Sequence, residues 1–524
     1  MPQPTCPTRC SENLVTISDV GSIIMIEKYC DILVIGNDLP GLITAAFLAR
    51  RGLSVHLLDT DPAADLERLP EAACLPNIHS KLVRSILGRL NVPEMAIQAL
   101  ATQDATLQVI FPRHRLDILP TPADFYQELD REFGRLLGDL KSFYDEQARV
   151  RHQTDVNELF QQLLPWTWKE RRLLKKFIKV HDLDRKSTDY AEIRKKDSRL
   201  DAFFKAQMLL AYGCEIQTPF AFQAAELFQP GEGEVFGVHA GTRDIKKILI
   251  ERILQHGGVM RKGVQLKSLL FRSGIFEGAE FDNPQGTILA KYVLWNDTPT
   301  KLPTMLPRKW RFIKLRKRCE ELKPDSHWAS VRFTVDARYV PEPMKANVLD
   351  ILNPEASFTG GNLLYLQVFR EKNAPITKID AHFLIKPETL DADEADFESI
   401  FETIKLRLLS IMPFAASSLK QVFPIKPETQ PADTLFPLHE NDLTVFRHAA
   451  KNSPVYPKNV RSFYDLFRLH YRTVAPNFFL THSTVFSGLG LEAKLMLGLK
   501  VTDLIWQEAE KSKRRAMKSE RRIA

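Results

Sequence analysis

The chain has 524 residues, 44% hydrophobic and 26% charged, a balance that suits two domain-sized cores and excludes a disordered, collagen-like or coiled-coil chain. Lys and Arg number 72 against 65 Asp and Glu, a net charge of +7. Residues Lys511 to Arg522 hold seven basic residues against Glu520, so this stretch alone supplies +6, and a near-neutral body does not fit a nucleic-acid-binding fold, whose basic residues form a patch.

Six scattered cysteines make no disulfide framework, which points to a reducing compartment. Cys6 and Cys10 find no further ligands nearby, so no metal is expected. No run reaches the ~18 apolar residues of a membrane span. Arg9 and the short patch Ile23 to Ile26 do not make a secretory signal, so the expectation is a cytoplasmic protein with residues 1–27 as a flexible extension.

The segment YCDILVIGNDLPGLITAAFLARRGLSVHLLDT, Tyr29 to Thr60, reads as strand, turn, helix and strand. Asp31 to Ile35 is the short apolar run of a strand buried on both faces; Pro40 to Arg51 is helical, Gly52 stops it, and Leu53 to Leu58 is the next strand. In such a βαβ unit glycines let the backbone approach a pyrophosphate, and an acid ending the second strand takes a ribose hydroxyl. Gly36 and Gly41 hold the outer glycine positions and Asp59 lies 18 residues beyond Gly41. The middle position is Asp38. A carboxylate ~4 Å from a phosphate charge at an effective dielectric of about 20 is repelled by about 4 kcal/mol, close to three decades of affinity. Asp38 has a second reading as the N-terminal cap of the helix.

Further along, KERRLLKKFIKV, Lys169 to Val180, places Leu173, Leu174, Phe177, Ile178 and Val180 on one side of a helix and Arg171, Arg172, Lys175, Lys176 and Lys179 on the other. With Trp166 it has the composition of a helix at an anionic membrane surface, and equally of one packed on the protein with its charges solvated. RKWRFIKLRKR, Arg308 to Arg318, is a second basic and aromatic segment. Glu394 to Met412 is an amphipathic core helix, its leading acids explained by the helix dipole rather than calcium. IKPET occurs at Ile385 and again at Ile425 without a functional account. No nucleophile elbow, zinc-protease helix or P-loop is present.

Two later segments complete a pattern: Phe236 to Asn296, with GVHAGTRDIKKILIERILQHGGVMRKGVQLKSLLF and AKYVLWND, and Phe478 to Leu504, FFLTHSTVFSGLGLEAKLMLGLKVTDL. Together with the βαβ unit and Val109 to Gly134, they resemble the flavin-dependent amine oxidase superfamily, most closely the phytoene (carotenoid) desaturases. The resemblance runs from about Asp31 to Trp506. It implies an α/β fold in which an FAD/NAD(P)-binding Rossmann-like domain (28–70, 235–300 and 470–508) is interleaved with an α+β substrate domain (71–234 and 301–469), followed by a basic tail (509–524).

The resemblance implies FAD as cofactor, held by Gly36, Gly41 and Asp59, with the backbone at Leu266 meeting the adenine and Gly488, Gly490 and Gly498 in the C-terminal glycine motif. It also implies a hydrophobic, isoprenoid-type substrate and no catalytic side chain that can be nominated. Departures gather where cofactor meets backbone: Asp38 replaces a glycine, TDPAADLERL after the second strand lacks a double glycine, Ala240 to Thr242 keep one glycine of a pair, His482 and Ser483 replace Gly-Asp, and Ala493 replaces a later glycine. Two functions therefore stand: a flavin-dependent oxidoreductase, peripheral at the inner membrane face through Lys169 to Val180 and the basic tail, or a relative that has lost flavin and binds lipid or protein.

Overall fold

The computed structural model describes residues 28–60, 81–100, 107–119, 121–153, 165, 167–225, 227, 242–282, 286–371, 373–391, 394–424, 442–457, 460–467, 469–486 and 488–523. The departures in TDPAADLERL beyond Thr60, Ala240 and Gly241, Cys6 and Cys10, Trp166 and the second IKPET lie outside these residues.

Two sheets organise the chain. In the first, β1 (Lys28–Ile35) runs parallel to β2 (Val55–Leu58) and β8 (Thr287–Trp295). β5 (Val259–Arg261) extends the sheet beside β2, and β15 (Phe478–Leu480) pairs in parallel with β8. An antiparallel hairpin, β6 (Leu266–Arg272) and β7 (Ile275–Phe281), completes the far side. Ile32 to Ile35 are fully buried, as a continuous apolar strand covered on both faces requires.

The helix α1 (Leu39–Arg50) follows β1, and every residue from Leu39 to Ala49 is buried. A helix apolar all round must be enclosed all round. The central helix (Thr242–Gln255) and the C-terminal helix (Gly490–Ile523) both pack against α1. Gly498 sits at the second of these crossings, where an added Cβ would lie 2.6 Å from the Pro40 carbonyl oxygen and 2.7 Å from Ile43 Cβ. The Thr44 hydroxyl donates to the Gly498 carbonyl at 3.0 Å. Gly498, expected in a flavin-facing motif, thus serves a close helix crossing.

The second sheet has the order β13 (Lys420–Phe423), β9 (Ser326–Asp336), β12 (Ile376–Ile385), β11 (Leu363–Phe369), β10 (Asn347–Ile351), β3 (Leu107–Phe111) and β4 (His114–Ile118), with β14 (Pro454–Val455) also beside β9. One face of β9, Ala329, Val331, Phe333 and Val335, packs into a core shared with the helix Glu394–Ile411 through Phe397, Ile404 and Leu408. The opposite face carries a polar seam. Arg332 donates to both oxygens of Asp380 at 2.6 and 2.7 Å, His382 bridges Ser330 and Gln367 at 2.7 and 3.0 Å, and Tyr365 donates to Asn347 at 2.8 Å. These residues face one another across four strands, so a slip of one residue would bury their polar groups in the apolar core. That fixes the register.

Residues 81–100, assigned from sequence to the substrate domain, contribute Val83, Ile86, Leu87 and Ile97 to the core of the first sheet. The basic helix (Trp168–Val180) does the same with Leu174, Phe177 and Ile178. The basic segment after 509 continues the C-terminal helix to Ile523, with Lys511, Lys513, Arg514 and Arg515 exposed. Among the described residues no helix is long and apolar enough to cross a membrane.

Gly498→Ala is expected to wedge the C-terminal helix from α1 and cost about 1–3 kcal/mol. Urea unfolding of the variant measures it, and unchanged stability would place the crossing elsewhere.

Candidate functional site

The parallel strands end in one row. Ile35 stands opposite both Leu58 and Trp295, and Trp295 opposite Leu480. The following backbone bonds continue the row: Gly36 N–H to Leu58 at 2.8 Å, Asn296 N–H to Ile35 at 2.8 Å and Thr481 N–H to Trp295 at 2.9 Å. Gly36, Asp59, Asn296 and Thr481 therefore emerge together at the carboxyl edge of the sheet, where open α/β folds bind ligands.

Asn296 ties this edge together. Its side-chain oxygen accepts from Gly41 N–H at 3.0 Å and from the Thr481 hydroxyl at 3.1 Å. Its amide nitrogen donates to the carbonyls of Asp38 at 2.7 Å and Gly36 at 3.3 Å. Both glycines are dictated by this approach. Gly36 has φ +100° and a Cβ there would lie 2.5 Å from the Asn296 carbonyl oxygen, while a Cβ on Gly41 would collide with the Asn296 side chain. Gly41 thus performs the close helix-to-strand packing of the third glycine in a dinucleotide turn.

Asp38 caps α1: its carboxylate accepts from Leu39 N–H at 2.8 Å. The other oxygen accepts from Ser483 N–H at 2.6 Å and from the Ser483 hydroxyl. The cap reading of Asp38 thus holds, and the same carboxylate also reaches the segment after β15. Burial pushes this carboxyl up, but the charges of His482, Lys246 and Lys494 and the Ser483 bond outweigh it and hold it well below the usual carboxylate range. His482 lies close, its Nε2 3.6 Å from Asp38. Burial keeps the imidazole pKa lowered despite the attraction of Asp38 and Asp297. Thr484 N–H donates to His482 Nδ1 at 3.3 Å, which leaves the ring proton on Nε2, toward Asp38.

Asp59 is buried at the end of β2, where Asn37 donates to its carboxylate at 2.9 Å. The Val264 N–H donates to the Asp59 carbonyl at 3.1 Å, so the segment leading into β6 reaches the site through Val264, and Leu266 opens β6 two residues later. Gly488 and Gly490 have φ +92° and +72° at the start of the C-terminal helix. The Gly488 carbonyl accepts from Gln223 at 2.6 Å, locking that start to the helix Ala221–Ala225. Gly36, Asp38, Gly41, Asp59, His482 and Ser483 are thus gathered at one edge. Asn296, Asn37, Thr481, Lys246 and Lys494 join them without having been singled out. Asn296 was visible as the polar end of the strand VLWND, but its partners lie more than 180 residues away in sequence.

The donor set fits an anionic dinucleotide. Leu39 N–H, Ser483 N–H and the Ser483 hydroxyl converge on one negative group, with Lys246 and Lys494 adding positive charge. Asp59, the acid that follows β2, would be the residue to receive a ribose hydroxyl. The anion these donors now hold is the chain's own Asp38.

No family model and no curated protein sequence matches the chain. Solved structures do. An oxidoreductase from Methanosarcina mazei matches with a TM-score of 0.53 at 15% identity, over 90% of this chain and 100% of that one. This chain shares the fold of that structure. A putrescine oxidase variant matches with a TM-score of 0.56 at 11% identity, over 92% and 100% of the two chains. Cyclohexylamine oxidase from Brevibacterium oxydans matches with 0.53 at 13% identity, over 92% and 99%. The architecture is therefore the expected one: a Rossmann-like dinucleotide-fold domain interleaved with an α+β domain.

Replacing Asn296 by Ala would strip partners from Gly41 N–H, the Asp38 and Gly36 carbonyls and Thr481, at an expected cost of about 3 kcal/mol. Chemical denaturation reads the loss; a change under about 0.5 kcal/mol would show that the edge is held by other contacts.

Proposed function

We propose that the chain is an FAD-dependent oxidoreductase. The observation that carries this reading is the meeting of a dinucleotide turn, a buried acid ending β2 and the start of the C-terminal helix at one sheet edge. Gly36 and Gly41 shape the turn, Asp59 receives a ribose hydroxyl, and the segment His482 to Gly490 faces the phosphate and flavin side. The flavin supplies the redox chemistry by accepting hydride from the substrate. The protein's own groups position it: Lys246 and Lys494 balance its charge, and His482 offers an Nε2 proton beside the phosphate position.

The names of the structural neighbours, two of them amine oxidases, support an oxidation. The proposed substrate is hydrophobic and isoprenoid-like, a choice that rests on the order and spacing of the segments resembling phytoene desaturases. A binding module without flavin is the second reading, favoured by the Asp38 carboxylate on the Ser483 donors.

An absorption spectrum of the purified full chain, before and after incubation with FAD and gel filtration, tests the cofactor. Stoichiometric flavin is expected, with retention reduced about tenfold in Asp59→Ala through loss of a charge-assisted bond. A colourless protein that takes up no FAD would transfer the search to lipid and protein partners.

We further propose contact with an anionic membrane surface through the basic helix. Its buried stripe is spent on the core, so the outward face is what remains: Lys169, Arg172, Lys175, Lys176 and Lys179, with Trp168, Leu173 and Val180 also exposed. Each basic residue near such a surface contributes ~1 kcal/mol. Binding to anionic vesicles is expected to weaken with salt and in Lys175→Glu/Lys176→Glu; absence from anionic vesicles at low salt would refute it.

A further inference from the structure

The anion held at the candidate cofactor site belongs to the chain itself. One Asp38 oxygen takes the Leu39 N–H at the start of α1, and the other takes the N–H and hydroxyl of Ser483 from a segment 445 residues away. These donors lie between the turn after β1 and the approach to the C-terminal helix, the gap that a dinucleotide's pyrophosphate enters in this fold. Lys246 of the central helix, Lys494 of the C-terminal helix and His482 face the carboxylate, with Asp297 near His482. The bonds leave the Asp38 carboxylate little reason to turn toward solvent. Its backbone is anchored too, because its carbonyl accepts from Asn296 at 2.7 Å.

We propose that the Asp38 carboxylate is a built-in competitor for the cofactor's pyrophosphate, closing the anion site in the free protein so that a dinucleotide enters only by displacing it from Ser483. The proposal deepens the flavin reading and rests on it. It assigns the altered glycine position a definite role: the side chain does not merely crowd the turn, it satisfies the donors that the phosphate would otherwise satisfy. A buried donor must have a partner, and here the partner is covalently tethered, so its effective concentration is high compared with a ligand in solution. Binding therefore exchanges one anion for another, where a turn with glycine in this place would gain new bonds outright.

The exchange predicts a defined pattern of affinities. Asp38→Asn keeps a helix-capping side chain and removes the charge; Asp38→Gly removes the competitor. Calorimetric titration of the full chain with FAD, ADP and adenosine compares them with the wild type, and thermal melts verify that each variant is folded. Both variants are expected to bind FAD and ADP about tenfold or more tightly than the wild type, with Asp38→Gly at least equal to Asp38→Asn. Adenosine, which carries no phosphate, is expected to bind alike to all three. If the wild type binds FAD and the folded variants bind it equally or less well, the competitor role is overturned while the flavin reading stands. An equal gain for adenosine also overturns it, since the effect would then be opening of the turn. If no form of the protein takes up FAD or ADP, both the competitor role and the flavin reading fall.

Discussion

Four side-chain hydrogen bonds from Asn296 fasten the ends of three strands and the first turn of α1 into one rigid edge. Backbone pairing brings Ile35, Leu58, Trp295 and Leu480 level, and the N–H groups of Gly36, Asn296 and Thr481 make the last bonds across these strands. Beyond them the chain turns away in several directions, and Asn296 supplies both a donor pair and an acceptor to the groups left over: Gly41 N–H, the carbonyls of Gly36 and Asp38, and the Thr481 hydroxyl. A side chain with one acceptor and two donors suits this mixture, whereas a carboxylate would offer no donor to the two carbonyls. The space it needs is made by the missing side chains of Gly36 and Gly41. Sequence features that look like separate motifs are thus parts of one steric and hydrogen-bonding unit.

With this edge fixed, the electrostatics of the site follow. The start of α1 and the Ser483 N–H point into the same gap, Lys246, Lys494 and His482 approach it, and the Asp38 carboxylate compensates the two donors. In glycine-type turns that compensation comes from the ligand or from water. Here it is internal, supplied by the carboxylate of Asp38.

Much of the frame was legible because it depends on local pattern. The βαβ unit from Lys28 to Leu58 showed itself through a short apolar strand, a turn with glycine and a helix ended by Gly52, and the helix Glu394–Ile411 through its 3.6-residue period. Gly36, Gly41 and Asp59 stand where their spacing put them. Legibility ended where partners are distant. Asp38 could be read as a cap or as a phosphate neighbour; the fold shows the cap and adds Ser483 as a partner that no local pattern names. Gly498 is required by a helix crossing that no local pattern encodes. In the basic helix the period was plain, but a period does not say what covers the apolar side; Leu174, Phe177 and Ile178 cover part of the first core.

The route of the chain through the first sheet bears on its synthesis. α1 precedes β15 and the C-terminal helix against which it packs by most of the two sheets, so it is synthesised well before them. Until then Leu39 to Ala49 lack one of their walls, and apolar surface exposed in this way invites aggregation. The edge that holds Asp38 likewise cannot close before residues 478–483 have been made. Nascent chains thus hold an open first-sheet core until that segment is made, and a break before residue 478 would remove a structural wall along with the Asp38–Ser483 contact.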